Sequence, residues 1–267
     1  MERPTYMTTM TTIKLISSEL AIITGHNKYE TKQKVIDTVL NRSRIVKKYI
    51  PKSKVEESLL SLPENELNII KKELKLDKNS TIKDVEKVVN RTMDKSLSGN
   101  ISENESREKA DEVLKNIPTL KCLETAVKQD IRMKRGNIKE NGNLDKTQAK
   151  RNIIIKERNS KMYERKLYND PEGKFNIVIK GKVDGMNDDC VVETKNRTKR
   201  LFNSIPDYEK VQLNSYMFLT GKEKSLHIEC YNETQNSTEY PLDELFWEYC
   251  CKEIIEFVKR DIVCHIK

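Results

Sequence analysis

No stretch of the 267-residue chain approaches the roughly 20 apolar residues that a membrane-spanning helix requires. The opening residues, Met1 to Thr12, are rich in Thr and Met and lack the charged-then-apolar layout of a secretory leader. A soluble, intracellular protein with no membrane partner is therefore expected. Six cysteines, at 122, 190, 230, 250, 251 and 264, contain no CxxC pair. That spacing excludes a zinc ribbon or a disulfide framework and leaves reduced, mostly buried thiols as the expectation. His26, His227 and His265 are dispersed, which argues against a histidine-based metal site or a nucleophilic triad. Asn-x-Ser/Thr triplets such as Asn90-Arg91-Thr92 are coincidences of an Asn-rich chain without a leader.

Charge is abundant. Lys and Arg outnumber Asp and Glu by 50 to 42, for a formal net charge of +8, an excess that suits a polyanionic partner such as nucleic acid. Hydrophobic residues make up 36% of the chain, low for a globular protein, but their patterning excludes a wholly disordered one.

Three zones follow from that patterning. Residues 1–48 hold an apolar-rich opening, Ile13 to Gly25, and a helix-like run through Val35, Ile36, Val39 and Leu40. Residues 49–133 are highly charged with helical spacing in pieces, Val55-Leu59-Leu60 and Leu67-Ile70-Leu74, and read as a solvated helical insertion. Within it, the Ser-, Asn- and Gly-rich stretch Leu97 to Glu105 reads as a flexible connection. Residues 134–267 read as the core domain: a polar helix over 143–158, a strand from Met162 to Leu167, and a strand through Phe175, Ile177 and Ile179. A central strand then runs from Asp188 to Lys195, joined to its predecessor through a turn at Gly185-Met186-Asn187. A helix over Ile205 to Leu219 stopped by Gly221, a strand from Leu226 to Tyr231 and a long helix from Leu242 to Val263 complete a mixed α/β core.

Two neighbouring segments carry chemistry. Gly181-Lys182-Val183-Asp184-Gly185 ends an alternating strand, and Glu193-Thr194-Lys195 follows nine residues after Asp184. Residues two apart share a face of a strand, so Glu193 and Lys195 point the same way, and a hairpin would bring Asp184 beside them. Two carboxylates held together repel unless a proton or a divalent cation lies between them, and hard oxygen ligands favour Mg²⁺ or Mn²⁺. A surface hairpin with an ordinary Glu193–Lys195 salt bridge is the alternative; against it, the ExK closes an apolar strand, where buried charge is costly.

These residues resemble the PD-(D/E)XK nuclease superfamily, in the order Gly-x-x-Asp-Gly, Val-Val-Glu-x-Lys, then a helix with Gln212 and Tyr216. More narrowly they resemble the phage lambda exonuclease and YqaJ-type viral recombinase group. Two further segments carry the narrower likeness: Leu15 to Gly25, with Ser18 and Glu19 followed by Asn27, Tyr29 and Thr31, and Gly136-Asn137-Ile138-Lys139-Glu140. The resemblance implies a restriction-endonuclease-like core, a mixed central sheet flanked by helices, with a helical N-terminal region and insertion. It implies that Asp184, Glu193 and the Thr194 carbonyl bind Mg²⁺ or Mn²⁺, with Glu140 completing the site, Lys195 positioning water and Gln212 bracing it. It also implies a 5′-to-3′ exonuclease of viral-type recombination or repair, acting on double-stranded DNA with free ends. A homo-oligomer and a single-strand annealing protein as companion belong to the same picture. Ser18 matches a serine that grips a 5′-phosphate, although Thr11 stands where the group carries an arginine.

Several alternatives stay open at this level. Ser18 reads equally as the N-cap of a helix starting near Glu19, Glu140 as a solvent-facing helix residue, and Tyr216 as core. Arg197, Lys199 and Arg200 form a basic cluster that would grip phosphates or simply be solvated. The same core suits an endonuclease on branched or single-stranded DNA, a non-catalytic nucleic-acid-binding relative, or an iron–sulfur nuclease, for which the cysteine spacing does not fit.

Overall fold

The structure is a computed structural model, and it describes residues 10–97, 102–116 and 122–266. The chain starts as strand β1 (Thr11–Ile16) and turns at once into α1 (Ser17–Ile23) and α2 (Lys32–Arg42). The apolar opening is thus half strand and half helix, because Ile13 and Leu15 alternate into the core before Leu20, Ala21 and Ile23 take up helical spacing. The N-terminal region expected to be helical therefore contributes a strand. It pairs in parallel with β3 (Phe175–Lys182), which pairs antiparallel with β2 (Met162–Asn169).

A second sheet has the order β4 (Gly185–Met186), β5 (Cys190–Asn196), β6 (Lys224–Tyr231) and β7 (Thr234–Pro241), with β5 and β6 parallel. The expectation that β3 and β5 form a hairpin is corrected here. The hairpin joins β4 to β5, and its turn falls at Asn187–Asp189, where the Asn187 side chain accepts from the Asp189 and Cys190 amides. Between the two sheets the chain leaves the ladder at Asp184. There its carbonyl oxygen accepts from the Asn159 amide, and a carboxylate oxygen accepts from the Thr194 amide at 2.8 Å. The Asp184 side chain thus takes up a β5 backbone amide where the strand ladder is interrupted.

α8 (Asp207–Thr220) and α9 (Glu244–Phe257) pack with α1 and α2 over the first sheet, around a core of Ile13, Leu15, Ile177, Ile179, Val211 and Met217. Gly181 lets three elements meet: a Cβ there would lie 2.5 Å from Ser17 Oγ, 2.6 Å from Leu219 Cδ1 and 2.9 Å from Tyr216 Cε1. Gly221 ends α8 in the left-handed conformation, as its position predicts. The last expected helix is shorter than Leu242–Val263 and passes into a π turn at Val258–Ile262.

The charged middle zone folds as α3 (Lys54–Ser61), α4 (Glu64–Glu73), α5 (Ile82–Ser96) and α6 (Glu103–Asn116) around its own core of Val55, Leu59, Ile70, Val85, Val89, Met93 and Val113. Residues 98–101 of the expected flexible connection lie outside the described residues, and Glu103–Glu105 belong to α6. The boundary drawn at 133 is corrected by α7 (Glu124–Arg151), a single 28-residue helix. Its first half buries Val127 and Ile131 in the insertion's core, and its second half buries Leu144 against Val192, Leu226 and Ile228. Of the helix expected over 143–158, only 143–151 are helical, as the end of this one, and residues 152–158 are loop. Among the described residues, no helix is long and apolar enough to cross a membrane.

Candidate active site

β5 closes on an apolar pair, Val191 and Val192, and then places Glu193, Thr194 and Lys195 at the mouth of a cleft of about 370 Å³. Asp184 and Glu140 line the same cleft. The structure thus brings Glu140, Asp184, Glu193 and Lys195 to one cleft. Lys195 Nζ donates to Glu193 Oε1 at 2.6 Å and to Gln212 Oε1 at 2.9 Å, and Gln212 Nε2 donates to the Tyr216 hydroxyl at 2.8 Å. Gln212 and Tyr216 lie one turn apart on α8, so the helix presents both to β5 in one stroke. Tyr216 is core, and its hydroxyl also orients Gln212.

Glu140 reaches the cleft because α7 is clamped to β5. Asn143 Nδ2 donates to Asn196 Oδ1 at 2.8 Å, and Asn196 Nδ2 donates to the Gly136 carbonyl at 3.1 Å. The Glu140 carboxylate accepts a hydrogen bond from the Asn159 side chain. Asn159 was not legible as a site residue. It sits in the loop between α7 and β2 with φ 44°, a left-handed conformation that Asn tolerates, and its backbone amide donates to Asp184. One residue thus ties both carboxylate positions together. Its only sequence signal is an Asn in a polar turn.

The electrostatics are those of a site short of positive charge. Burial, then the neighbouring Glu140 charge, pushes Asp184 up to about 6. Burial pushes Glu193 up to about 7 against the pull of Lys195, with Asp184 adding to the rise. Glu140 is raised by burial and by Glu193. Burial would lower the Lys195 ammonium, but the Glu193 charge and hydrogen bond outweigh it and raise it. The second oxygen of Glu193 is buried without a hydrogen-bond partner, as is the Thr194 hydroxyl. A buried, unsatisfied carboxylate oxygen beside a second carboxylate calls for a proton or a cation. Among the described residues, no three His, Cys, Asp or Glu side chains converge into a ready-made metal cage. Asp184 and Glu193 are the side chains that could hold a hard cation, with Glu140 held nearby by Asn159.

The basic cluster after β5 divides. Lys199 and Arg200 are exposed. Arg197, expected to face phosphates, is turned inward, its side chain 10% exposed. It forms a bidentate pair with Glu209 at 2.6 and 2.7 Å, a second pair with Glu229, and stacks over Phe202 at 4.1 Å. That assignment is corrected: a phosphate would have to displace two buried carboxylates. His227 joins the network through Glu209 at 2.8 Å. Ser18 is exposed in the first turn of α1, whose N-cap is Ile16, so Ser18 is not a cap. Its buried neighbour Ser17 donates to the Lys180 carbonyl near the end of β3. Thr11 pairs with Phe175 in β1. The Lys14 backbone serves Ser43 and Arg42, whose guanidinium is held by Glu19 at 2.6 and 2.9 Å.

No protein-family model matches the chain, and no curated protein does. Among solved structures, the alkaline exonuclease LHK-Exo from Laribacter hongkongensis is similar over 94% of this chain and 89% of that one, at 10% identity and a TM-score of 0.45. A phage-related exonuclease from Haemophilus somnus 129PT is similar over 93% of each chain, at 11% identity and a TM-score of 0.39. A third, SSO0001, is 18% identical over 66% of this chain and 86% of that one, with a TM-score of 0.38. The chemistry stands on the side chains of the cleft.

Proposed function

We propose that the protein is a Mg²⁺- or Mn²⁺-dependent DNA nuclease on a restriction-endonuclease-like core, working as a 5′-to-3′ exonuclease on double-stranded DNA with free ends. The observation that supports it most is Lys195, held between Glu193 and Gln212 beside Asp184 at the mouth of a cleft. An ordinary surface salt bridge needs neither the bracing glutamine nor the second buried carboxylate. Asp184, Glu193 and the Thr194 carbonyl would hold the cation, with Glu140 completing the set. A cation held there would supply a water of lowered pKa and offset charge on the phosphate. Lys195 keeps its proton under the pull of Glu193 and so offers a fixed positive charge to water or to a phosphate oxygen. Gln212 fixes the direction of that ammonium, and Tyr216 fixes Gln212. Ser18, Lys199 and Arg200 are the exposed residues proposed to meet DNA. A role in viral-type recombination or repair, a homo-oligomer and a single-strand annealing partner go with this reading.

Incubation with linear and closed circular duplex DNA in Mg²⁺, Mn²⁺ or EDTA tests the proposal. Cleavage of linear DNA with either cation and none in EDTA is expected. Cutting of closed circles would replace the exonuclease with a structure-specific endonuclease. No cleavage under any condition would leave a non-catalytic DNA-binding protein.

A further inference from the structure

A second cavity, of about 290 Å³, opens between α6, α7 and the loop after β5. Arg107 of α6, Arg132 of α7 and Lys199 of the loop line it. The acidic residue in its lining, Asp111, is held by Lys128 at 2.9 Å. No ion pair engages Arg107, Arg132 or Lys199 among the described residues. The two cavities adjoin at Arg132, which lines the carboxylate cleft as well, together with Thr198. Arg107 donates one hydrogen bond to the Thr198 carbonyl, which fixes the guanidinium at the junction and leaves its other donors for a ligand. Three exposed cations without an ion-pair partner among the described residues, drawn from three elements, thus surround one concavity and favour an anion there. Two of them are guanidinium groups, whose planar donor fork matches phosphate oxygens.

We propose that the helical insertion supplies a phosphate subsite, formed by Arg107 and Arg132 with Lys199, that takes a backbone phosphate of the nucleic-acid strand lying in the carboxylate cleft. This inference rests on the nuclease reading for the identity of its ligand. It also accounts for the insertion itself. Because α7 runs unbroken from the insertion's core to Glu140, the basic wall is held in register with the carboxylates.

The test is binding of a duplex oligonucleotide to the Glu193→Gln variant in Mn²⁺, measured by fluorescence anisotropy at several NaCl concentrations. Added substitutions Arg107→Gln, Arg132→Gln and Lys199→Gln are each expected to lower the slope of log affinity against log salt by about 1. All three together are expected to lower it by about 2–3 and to weaken binding at least about tenfold at low salt. Mn²⁺ affinity and melting temperature should stay at the parent's values. A triple variant with the parent's slope overturns the site, and the single variants decide should the triple fail to fold. Duplexes ending in a 5′-phosphate or a 5′-hydroxyl are expected to lose equally; a loss confined to the phosphorylated end overturns the backbone assignment. The two readings fail separately. A wild type that cleaves DNA beside a triple variant with an unchanged slope removes only the subsite. A lost slope with no cleavage by the wild type under any metal removes only the nuclease.

Discussion

Lys195 is the best-located polar group of the cleft, because Glu193 and Gln212 accept from it on two sides. Replacing Glu193 by Gln preserves shape but removes the charge that both the cation and the ammonium answer to. Loss of such a group costs several kcal/mol of transition-state stabilisation, so turnover should fall by about a thousandfold or more. Steady-state nuclease rates check this, and near-normal turnover would remove Glu193 from the mechanism. Asn159 calls for a gentler test. Asn159→Gly keeps the left-handed backbone available and deletes only the amide that holds Glu140. A hydrogen bond to a charged group is worth about 1.5–3 kcal/mol, so a rate loss of about tenfold or more is expected, with little change in melting temperature. If the amide merely closes the loop, the variant will melt earlier and keep its rate.

Among the elements, the meeting of α1, α8 and β3 at Gly181 leaves the least room. A methyl group there collides with Ser17, Leu219 and Tyr216, which sit on two helices that cannot both withdraw. Gly181→Ala should destabilise the fold by about 1–3 kcal/mol, read as a shift of the denaturation midpoint. Because Tyr216 carries Gln212, the same variant should also lower the rate; a fully stable, fully active variant would show that the three elements are less tightly packed. The Arg197–Glu209–His227 network joins α8 to the end of β5 and to β6, close to Lys195 and Glu193. Burial alone would raise Glu209, but the bonds from His227 and Arg197 lower it to about 2. Its contribution to stability is thus present above the ordinary carboxylate value of 4.5 and lost as pH falls through about 2.

For the whole molecule, the cleft carboxylates act in the opposite direction. Asp184 at about 6 and Glu193 at about 7 lie above their ordinary values of 3.8 and 4.5. Their contribution is present at acid pH and is lost as pH rises through 6 to 7, when two charges form side by side. The metal-free protein should therefore lose stability over that interval, and a divalent cation should restore it only above it. Melting temperatures in EDTA and in Mn²⁺ at about pH 5.5 and about pH 8 measure this: a small Mn²⁺ effect at the lower pH and a rise of several degrees at the higher are expected. Asp184→Asn should melt higher than the wild type in EDTA at the higher pH and lose the Mn²⁺ response. An Mn²⁺ effect independent of pH would show that the cation binds elsewhere.

Periodicity placed Glu193 and Lys195 on one face of a strand and a helix over Ile205 to Leu219, Gly221 marked the end of that helix, and the family resemblance picked out Gln212 and Tyr216 one turn apart on it. Each is a relation between near neighbours, set by backbone geometry that the side chains report directly. The middle zone was legible as helical for the same reason, since Val55, Leu59 and Ile70 keep helical spacing. Relations across the chain were decided only by tertiary packing. β7 is too polar to read as a strand, and exists because β6 offers it an edge. Arg197 is indistinguishable in sequence from Lys199 and Arg200. It turns inward because Glu209 and Glu229, 12 and 32 residues away, meet it there and satisfy its charge. Asp184 lies between β3 and β4 and Glu140 on α7, and a loop residue, Asn159, joins them. The division at 133 failed because composition changes there while the hydrogen bonds of α7 continue, and a helix follows its hydrogen bonds.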